Sequence, residues 1–302
     1  MSTKPRHRVY DRILIDLNTQ CDFLLPGGAM PVANRAEALP RIRDLMNWAR
    51  TEQVPVISSL EAHRPGESVM GLPSHCIDRT RGQRKLPFTL MPRRIVLHGD
   101  NTLDVPSDPF RRHQQVIFTK RDVDFLSNPK TDRLINALSP HCWIIFGVTA
   151  THCVKAMVLG LLARQHTVAV VSDACGYWSP TDGHHAFRQM DAKGAILGTT
   201  QELIDGQLGQ RIEAARLMKQ AACTRSNGGA NGKNGTADSL KALREVETLS
   251  SEASGSNDTG GNGAGGNGRP HPDPTDLIPA RLLRRKAPSG DRHAPQSRRD
   301  LA

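Results

Sequence analysis

The chain is poor in aromatic side chains, with seven Phe, three Trp and two Tyr among 302 residues. Unpaired bases stack on such rings, so their scarcity argues against a single-stranded nucleic-acid binder even though the formal charge is +10. Long apolar runs are also missing. The best candidate, residues 156–163, falls far short of the roughly 20 residues that cross a bilayer. The first twelve residues, through Arg12, are polar and carry no apolar segment of the kind a secretory signal needs. A membrane-spanning or exported protein is therefore not expected. The six cysteines, at 21, 76, 142, 153, 175 and 223, form no CxxC pair, which fits reduced thiols and a cytoplasmic location. The basic excess is not a tail: residues 226–302 hold eleven basic and nine acidic side chains, net +2, leaving +8 in residues 1–225.

Composition changes sharply near Ser226. Eleven of the 26 glycines fall in residues 226–268, among Asn, Ser and Thr, and such a segment cannot bury enough apolar surface to offset its ordering entropy. Residues 226–302 are expected to be a linker and a disordered Pro/Arg-rich tail. Leu240, Leu243, Val246 and Leu249 are spaced for a short helix that is marginal alone. The island Leu277 to Leu283, before Arg284, Arg285 and Lys286, reads as solvated tail or as a docking segment. Residues 1–210 are expected to be the folded domain and 211–225 its helical end. Within that domain, strands are predicted over 12–17, 54–60, 115–119, 143–147 and 167–172, and helices over 36–50, 130–138 and 151–165. Short apolar runs alternating with helical patterns predict an α/β fold: three layers, doubly wound, with a mostly parallel sheet and helices on both faces. The basic run Arg79, Arg81, Arg84, Lys85, Arg93 and Arg94 is read as solvated surface, with an anion-attracting stretch as the alternative.

In open sheets of this kind ligands bind beyond the carboxyl ends of the strands. Asp16 ends the first strand, Lys120 the third, and Cys153 follows the fourth at a helix start. A thiol there feels the positive end of the helix dipole, and a nearby ammonium favours its thiolate. Cys153 is then a candidate nucleophile and Asp16 a candidate proton carrier. The backbone amides of Thr149 and Cys153 are candidate donors to a tetrahedral oxyanion. Taken singly, a buried cysteine is packing and a strand-end aspartate is a cap.

Three ordered segments add a family resemblance. Leu14-Ile-Asp16 with Asp22-Phe23 and Pro26-Gly-Gly28, then Phe118-Thr-Lys120 with Asp124-Phe125, then Gly147-Val148 with Cys153-Val154 and Asp173-Ala174, resemble the isochorismatase-like cysteine hydrolases, a group that includes nicotinamidases. The resemblance spans about residues 10–205 and stops before the tail. It implies the isochorismatase-like hydrolase fold and an Asp16, Lys120, Cys153 triad that cleaves a small amide or related C–N bond through a covalent acyl-enzyme. It also implies a non-proline cis bond between Val148 and Thr149. The interval from Asp16 to Asp22 is about two residues longer than the usual opening. Phe23 and His152 are the substrate-pocket candidates, with an exposed His152 as the alternative. Nicotinamidases carry a metal near the triad, and the matching residues here are Glu61, His63 and His75, with Glu61 where an Asp is usual. The implied cofactor is one divalent ion, zinc, iron or manganese, with a metal-free pocket as the alternative. Ala62 stands where nicotinamidases place a Trp, which argues against nicotinamide itself. The family is commonly oligomeric, so a homo-oligomer acting on a small-molecule amide is implied. An isochorismatase-type hydrolase, or a non-catalytic scaffold that keeps the fold, are the competing readings.

Overall fold

The computed structural model describes residues 10–67, 71–99 and 102–227. Beyond residue 227 the expected linker and tail, including the 240–249 helix and the 277–283 island, lie outside the described residues.

Seven strands form one all-parallel sheet: β1 (Arg12–Leu17), β2 (Val56–Glu61), β3 (Arg94–Leu97), β4 (Gln115–Lys120), β5 (Cys142–Val148), β6 (Val168–Gly176) and β7 (Ile196–Gly198). Their spatial order is β3-β4-β2-β1-β5-β6-β7. The helices are α1 (Cys21–Leu24), α2 (Arg35–Thr51), α3 (Pro129–Ala137), α4 (Lys155–Ala163), α5 (Pro180–Ala192), α6 (Thr200–Ile204) and α7 (Gln207–Asn227). The five predicted strands and three predicted helices are present, β1 with the bounds expected and the others with shifted ends. The short β3 and β7 are not among the predicted strands, and α7 runs through the expected boundary at residue 210.

Central strands read as continuous apolar runs because both faces are covered. All seven residues of β5 are buried, and the sequence of β1 is buried after its first residue. On α2, Ala38, Ile42, Leu45, Met46 and Ala49 form the buried stripe, the helical period expected of a crossover helix. Asn128 caps α3 by accepting from the Lys130 and Thr131 amides, and Ser179 caps α5 by accepting from the Asp182 amide. No helix among the described residues is long and apolar enough to cross a membrane.

The topology selects one crevice. From β1 the chain goes to β2 on one side, whereas from β5, the neighbour of β1, it goes to β6 on the other. The loops leaving β1 and β5 therefore diverge, opening a gap at the carboxyl edge. Leu17 and Gly147 are register partners at that point. Gly147 has φ +122°, and a Cβ there would strike the Leu17 carbonyl, so only glycine lets the two strand ends approach so closely.

Candidate active site

Cys153 lies in the turn that follows β5. The Val154 amide donates to the Thr149 carbonyl at 3.1 Å, a five-residue span wider than an α-turn, before α4 continues as regular helix. The Val148–Thr149 peptide bond is cis. The thiol is almost wholly enclosed, at 6% exposure. Two groups donate to its sulfur: Asn18 Nδ2 at 3.2 Å and Lys120 Nζ at 3.6 Å. The same two nitrogens also donate to Glu61 Oε2, at 2.7 and 3.1 Å. Lys120 makes a further bond to the Asp122 carbonyl at 2.6 Å.

Asp16 is placed differently from the expectation. Thr19 Oγ1 donates to its Oδ1 at 2.8 Å, Ser58 Oγ donates to its Oδ2 at 2.9 Å, and Lys85 Nζ pairs with Oδ2 at 2.8 Å. The triad expectation is corrected accordingly: Lys120 and Cys153 come together, and the carboxylate bonded to Lys120 is Glu61. The reason lies in β1. Asp16 sits inside the strand opposite Ser58, where Lys85 reaches it. The chain then turns at Asn18, which adopts φ +51°, and this turn brings residue 18 to the sulfur. The expectation that Lys85 belongs to a solvated run is overturned as well, since the residue is only 6% exposed.

Asn18, Gln20 and Ser59 escaped the sequence reading. Ser59 Oγ donates to Asn18 Oδ1 at 2.6 Å and accepts from the Asn18 amide at 3.0 Å, fixing the side-chain amide. Gln20 brackets the Glu61 backbone, donating from Nε2 to its carbonyl and accepting from its amide, both at 2.8 Å. One signal was present. The opening that seemed two residues too long puts residue 18, not 16, at the usual interval before Asp22.

Burial pushes the Cys153 thiol up, and Glu61 adds to this, while Lys120 and the Asn18 hydrogen bond pull it down without overcoming burial. For Glu61, burial alone would raise the carboxyl. Lys120 and the bonds to His63 and His75 outweigh it and hold the group well below the usual carboxylate range. Burial works against the Lys120 charge, yet Cys153 and Glu61 together raise its pKa. The buried group is thus a thiol beside an ion pair, with its proton not yet removed.

The other Glu61 oxygen faces two imidazoles. His63 Nε2 and His75 Nε2 lie 3.0 and 2.9 Å from Oε1. Ligand atoms of Glu61, His63 and His75 all fall within 4.8 Å of one another, and the three residues are buried. His75 Nδ1 lies 2.7 Å from the Pro73 carbonyl, which takes the ring proton on that side. In the neutral ring Nε2 then carries a lone pair aimed at a carboxylate, an arrangement relieved either by a second proton or by a cation. Two imidazole nitrogens and one carboxylate oxygen are a donor set that suits zinc, iron or manganese, so these residues fit a divalent metal.

A cavity of about 30 Å³ opens onto Cys153, lined by Asn18, Phe23, Glu61, Leu72, His75, Val123, Thr149, His152 and Trp178. Phe23 packs edge-on against His75 at 5.4 Å. His152 is half-buried: its ring lies 5.6 Å from Trp178, and the Thr149 and Thr151 hydroxyls converge on its Nδ1 at 3.2 and 2.8 Å. Burial, with Lys155 assisting, pushes the His152 pKa down, so it is a neutral pocket wall. A far larger cleft, about 730 Å³, reaches Lys120 and Ala62 from the β4 side but does not include Cys153. Size therefore does not single out the thiol site.

A doubly wound parallel sheet with a thiol, an ammonium and a carboxylate gathered at its switch point defines an α/β protein of the hydrolase type. The Isochorismatase domain family matches residues 12–202, and the chain belongs to this family of hydrolases. It is similar to the nicotinamidase of Escherichia coli (strain K12), with 28% identity over 214 residues, 62% of this chain and 94% of that protein. Among solved structures it resembles an isochorismatase family protein from Desulfovibrio vulgaris subsp. vulgaris str. Hildenborough, with TM-score 0.52, 20% identity, and coverage of 65% of this chain and 97% of that one. It also resembles an isochorismatase-like hydrolase from Alkaliphilus metalliredigens, with TM-score 0.51, 15% identity, and coverage of 65% and 99%.

Proposed function

We propose that this chain is an amidase that cleaves a small carboxamide or related C–N bond through an acyl-thioester on Cys153. One observation carries the reading: Cys153 Sγ receives hydrogen bonds from Lys120 and Asn18 beside the Glu61 carboxylate, at the floor of a small cavity. The kinship with a nicotinamidase supports an amide as the substrate class.

In the first half of the reaction the sulfur adds to the carboxamide carbon and gives up its proton to the site. The carbonyl π pair moves to oxygen, where the Thr149 and Cys153 amides are the candidate donors. The proton passes to the leaving nitrogen, the C–N bond breaks, and ammonia or an amine departs, leaving a thioester. Water then adds to the thioester carbon, the C–S bond breaks, and the acid leaves while sulfur regains a proton. Lys120 stays charged throughout and stabilises the anionic sulfur. Glu61, His63 and His75 are the residues that would hold a divalent metal, which would supply Lewis-acid polarisation of an oxygen atom. Phe23, Trp178 and His152 wall the cavity in which the carboxamide carbon meets the sulfur.

Ammonia release from nicotinamide, pyrazinamide, simple aliphatic amides and ureido compounds tests this reading, together with mass spectrometry of the quenched protein. The expected result is turnover of at least one compound, with an acyl adduct on the Cys153 peptide. Cys153→Ala is expected to abolish both with unchanged melting. Turnover retained in that variant, or no turnover of any compound, would reject the amidase and leave the scaffold reading.

A further inference from the structure

We propose that Asp22 is a positioning residue for this site, a single carboxylate that fixes His75 on one side of the pocket and Trp178 on another. The inference rests on the amidase reading above and deepens it, by naming what ties the metal-binding edge to the wall beside the sulfur.

Asp22 and Phe23 are consecutive in the sequence motif, and of the two only Phe23 lines the cavity. Asp22 is 9% exposed, and among the described residues its oxygens are spent on backbone rather than on a cation. Oδ1 accepts from the Ala29 amide at 3.0 Å and Oδ2 from the Cys76 amide at 2.7 Å. A side-chain amide could satisfy one of these donors; only a carboxylate is an acceptor at both ends. The backbone of the same residue is held as well, its amide donating to the Gly82 carbonyl and its carbonyl accepting from the Met30 amide, both at 3.0 Å. Two glycines make the room. A Cβ at 82 would strike the carboxylate itself, and one at 28 the Asp22 carbonyl, so the group is confined to one place.

From Oδ2 the contacts lead to the imidazoles. Cys76 follows His75 directly and adopts φ +47°, a left-handed conformation that a residue other than glycine keeps only where its surroundings enforce it. Its amide is bound to Asp22, and its carbonyl accepts from the His63 amide at 3.0 Å, so this one residue is pinned between the carboxylate and the second histidine. From Oδ1 and the Asp22 carbonyl the contacts lead to the apolar wall. They hold the consecutive amides of Ala29 and Met30, and the Met30 carbonyl accepts from Trp178 Nε1 at 3.2 Å. Phe23, the next residue along, meets the His75 ring at 5.4 Å. One side chain therefore sets where His75, Phe23 and Trp178 stand relative to one another, without touching the sulfur.

Asp22→Ala removes both acceptors and tests the assignment on three readouts. Zinc affinity is expected to fall about 10–100-fold, the range found for outer partners that orient a ligand. With zinc saturating, KM for an amide that the unaltered protein turns over is expected to rise at least about fivefold and kcat to change less, because the wall shifts while the sulfur does not. Alkylation of Cys153 by iodoacetamide, read on its peptide, is expected to stay within about threefold, since Asn18 and Lys120 still hold the sulfur; a general loosening of the fold would expose the thiol and speed the reaction. Gly82→Ala crowds the carboxylate without removing it, so it is expected to lower zinc affinity and raise KM too, and adding it to Asp22→Ala is expected to cost less than about twofold more. If Asp22→Ala does not fold, Asp22→Asn, which keeps an acceptor for only one of the two amides, must show at least one of the two losses. Zinc affinity or KM left within about threefold in Asp22→Ala, neither loss in Asp22→Asn, alkylation of Cys153 speeded beyond about threefold, or additive losses in the doublet overturns the proposal. Unaltered protein that binds no zinc overturns it equally. Turnover that survives Cys153→Ala, or is absent from the unaltered protein, defeats the amidase reading itself, whatever residue 22 does to zinc.

Discussion

The pair formed by Asp16 and Lys85 gives a prediction that separates structure from catalysis. Asp16 has no exposed surface, the Lys85 side chain is 2% exposed, and the two meet at 2.8 Å. Lys85 also donates to Thr19 Oγ1 at 2.8 Å and to the Ser59 carbonyl at 3.3 Å. Removing one partner of a buried pair costs about 3–5 kcal/mol because the other charge is stranded. In Lys85→Met, Asp16 would keep the Thr19 and Ser58 hydroxyls, so we expect the lower end, about 3 kcal/mol. For a domain of this size that corresponds to a fall in melting temperature of about 6–12 °C, at about 2–4 °C per kcal/mol. Asp16→Asn should cost less. Burial already pushes the Lys85 ammonium down, with Asp16 holding it up, so without the carboxylate Lys85 can shed its proton and avoid a stranded charge. The doublet Asp16→Asn/Lys85→Met removes both charges and should lose less than the sum of the two singles. Urea unfolding followed by circular dichroism measures all of these. A loss below about 1 kcal/mol in Lys85→Met, or additive losses in the doublet, would refute the reasoning about the buried pair. Activity gives the second arm: Asp16→Asn should keep turnover within about tenfold, and a loss above about 100-fold at unchanged stability would place Asp16 in the reaction.

Further predictions follow from the same contacts. Gly147→Ala should destabilise by more than about 3 kcal/mol or prevent folding, because its Cβ meets the Leu17 backbone at φ +122°; denaturant titration reads the loss, and a near-neutral variant would contradict the close approach of β1 and β5. Zinc titrated into metal-stripped protein should bind one ion per chain, with affinity falling at least about tenfold in His75→Ala and His63→Ala; binding unaffected by both changes would remove these residues from the ligand set. His152→Leu should raise KM more than it lowers kcat, since the ring walls the cavity without bonding to the sulfur. The opposite split would place His152 in the chemistry.

Much of the fold is written along the chain because a strand buried on both faces needs an unbroken apolar run. β1, β4 and β5 are such runs, and so each was legible. β3 alternates exposed and half-buried residues at the sheet edge, and β7 has three residues, too little pattern for either to stand out. The lysine and the thiol of the site were legible too, as residues just beyond strands whose ends must share an edge. The carboxylate was not. Asp16 and Asn18 lie two positions apart, both within reach of the edge, and local sequence does not say which turns toward β5.

The amino-acid order by itself determined a parallel α/β domain, the switch-point edge, and Lys120 and Cys153 as residues delivered to that edge, since period and chain direction are local properties; Glu61, His63 and His75 came only through the family resemblance. Only the tertiary structure decided which charges pair. Lys85 arrives from a long loop and captures Asp16, and the left-handed turn at Asn18 carries an amide to the sulfur. Ion pairing between segments tens of residues apart depends on which groups are buried together, where an unpaired charge is too costly to leave, and no local pattern along the chain encodes that choice.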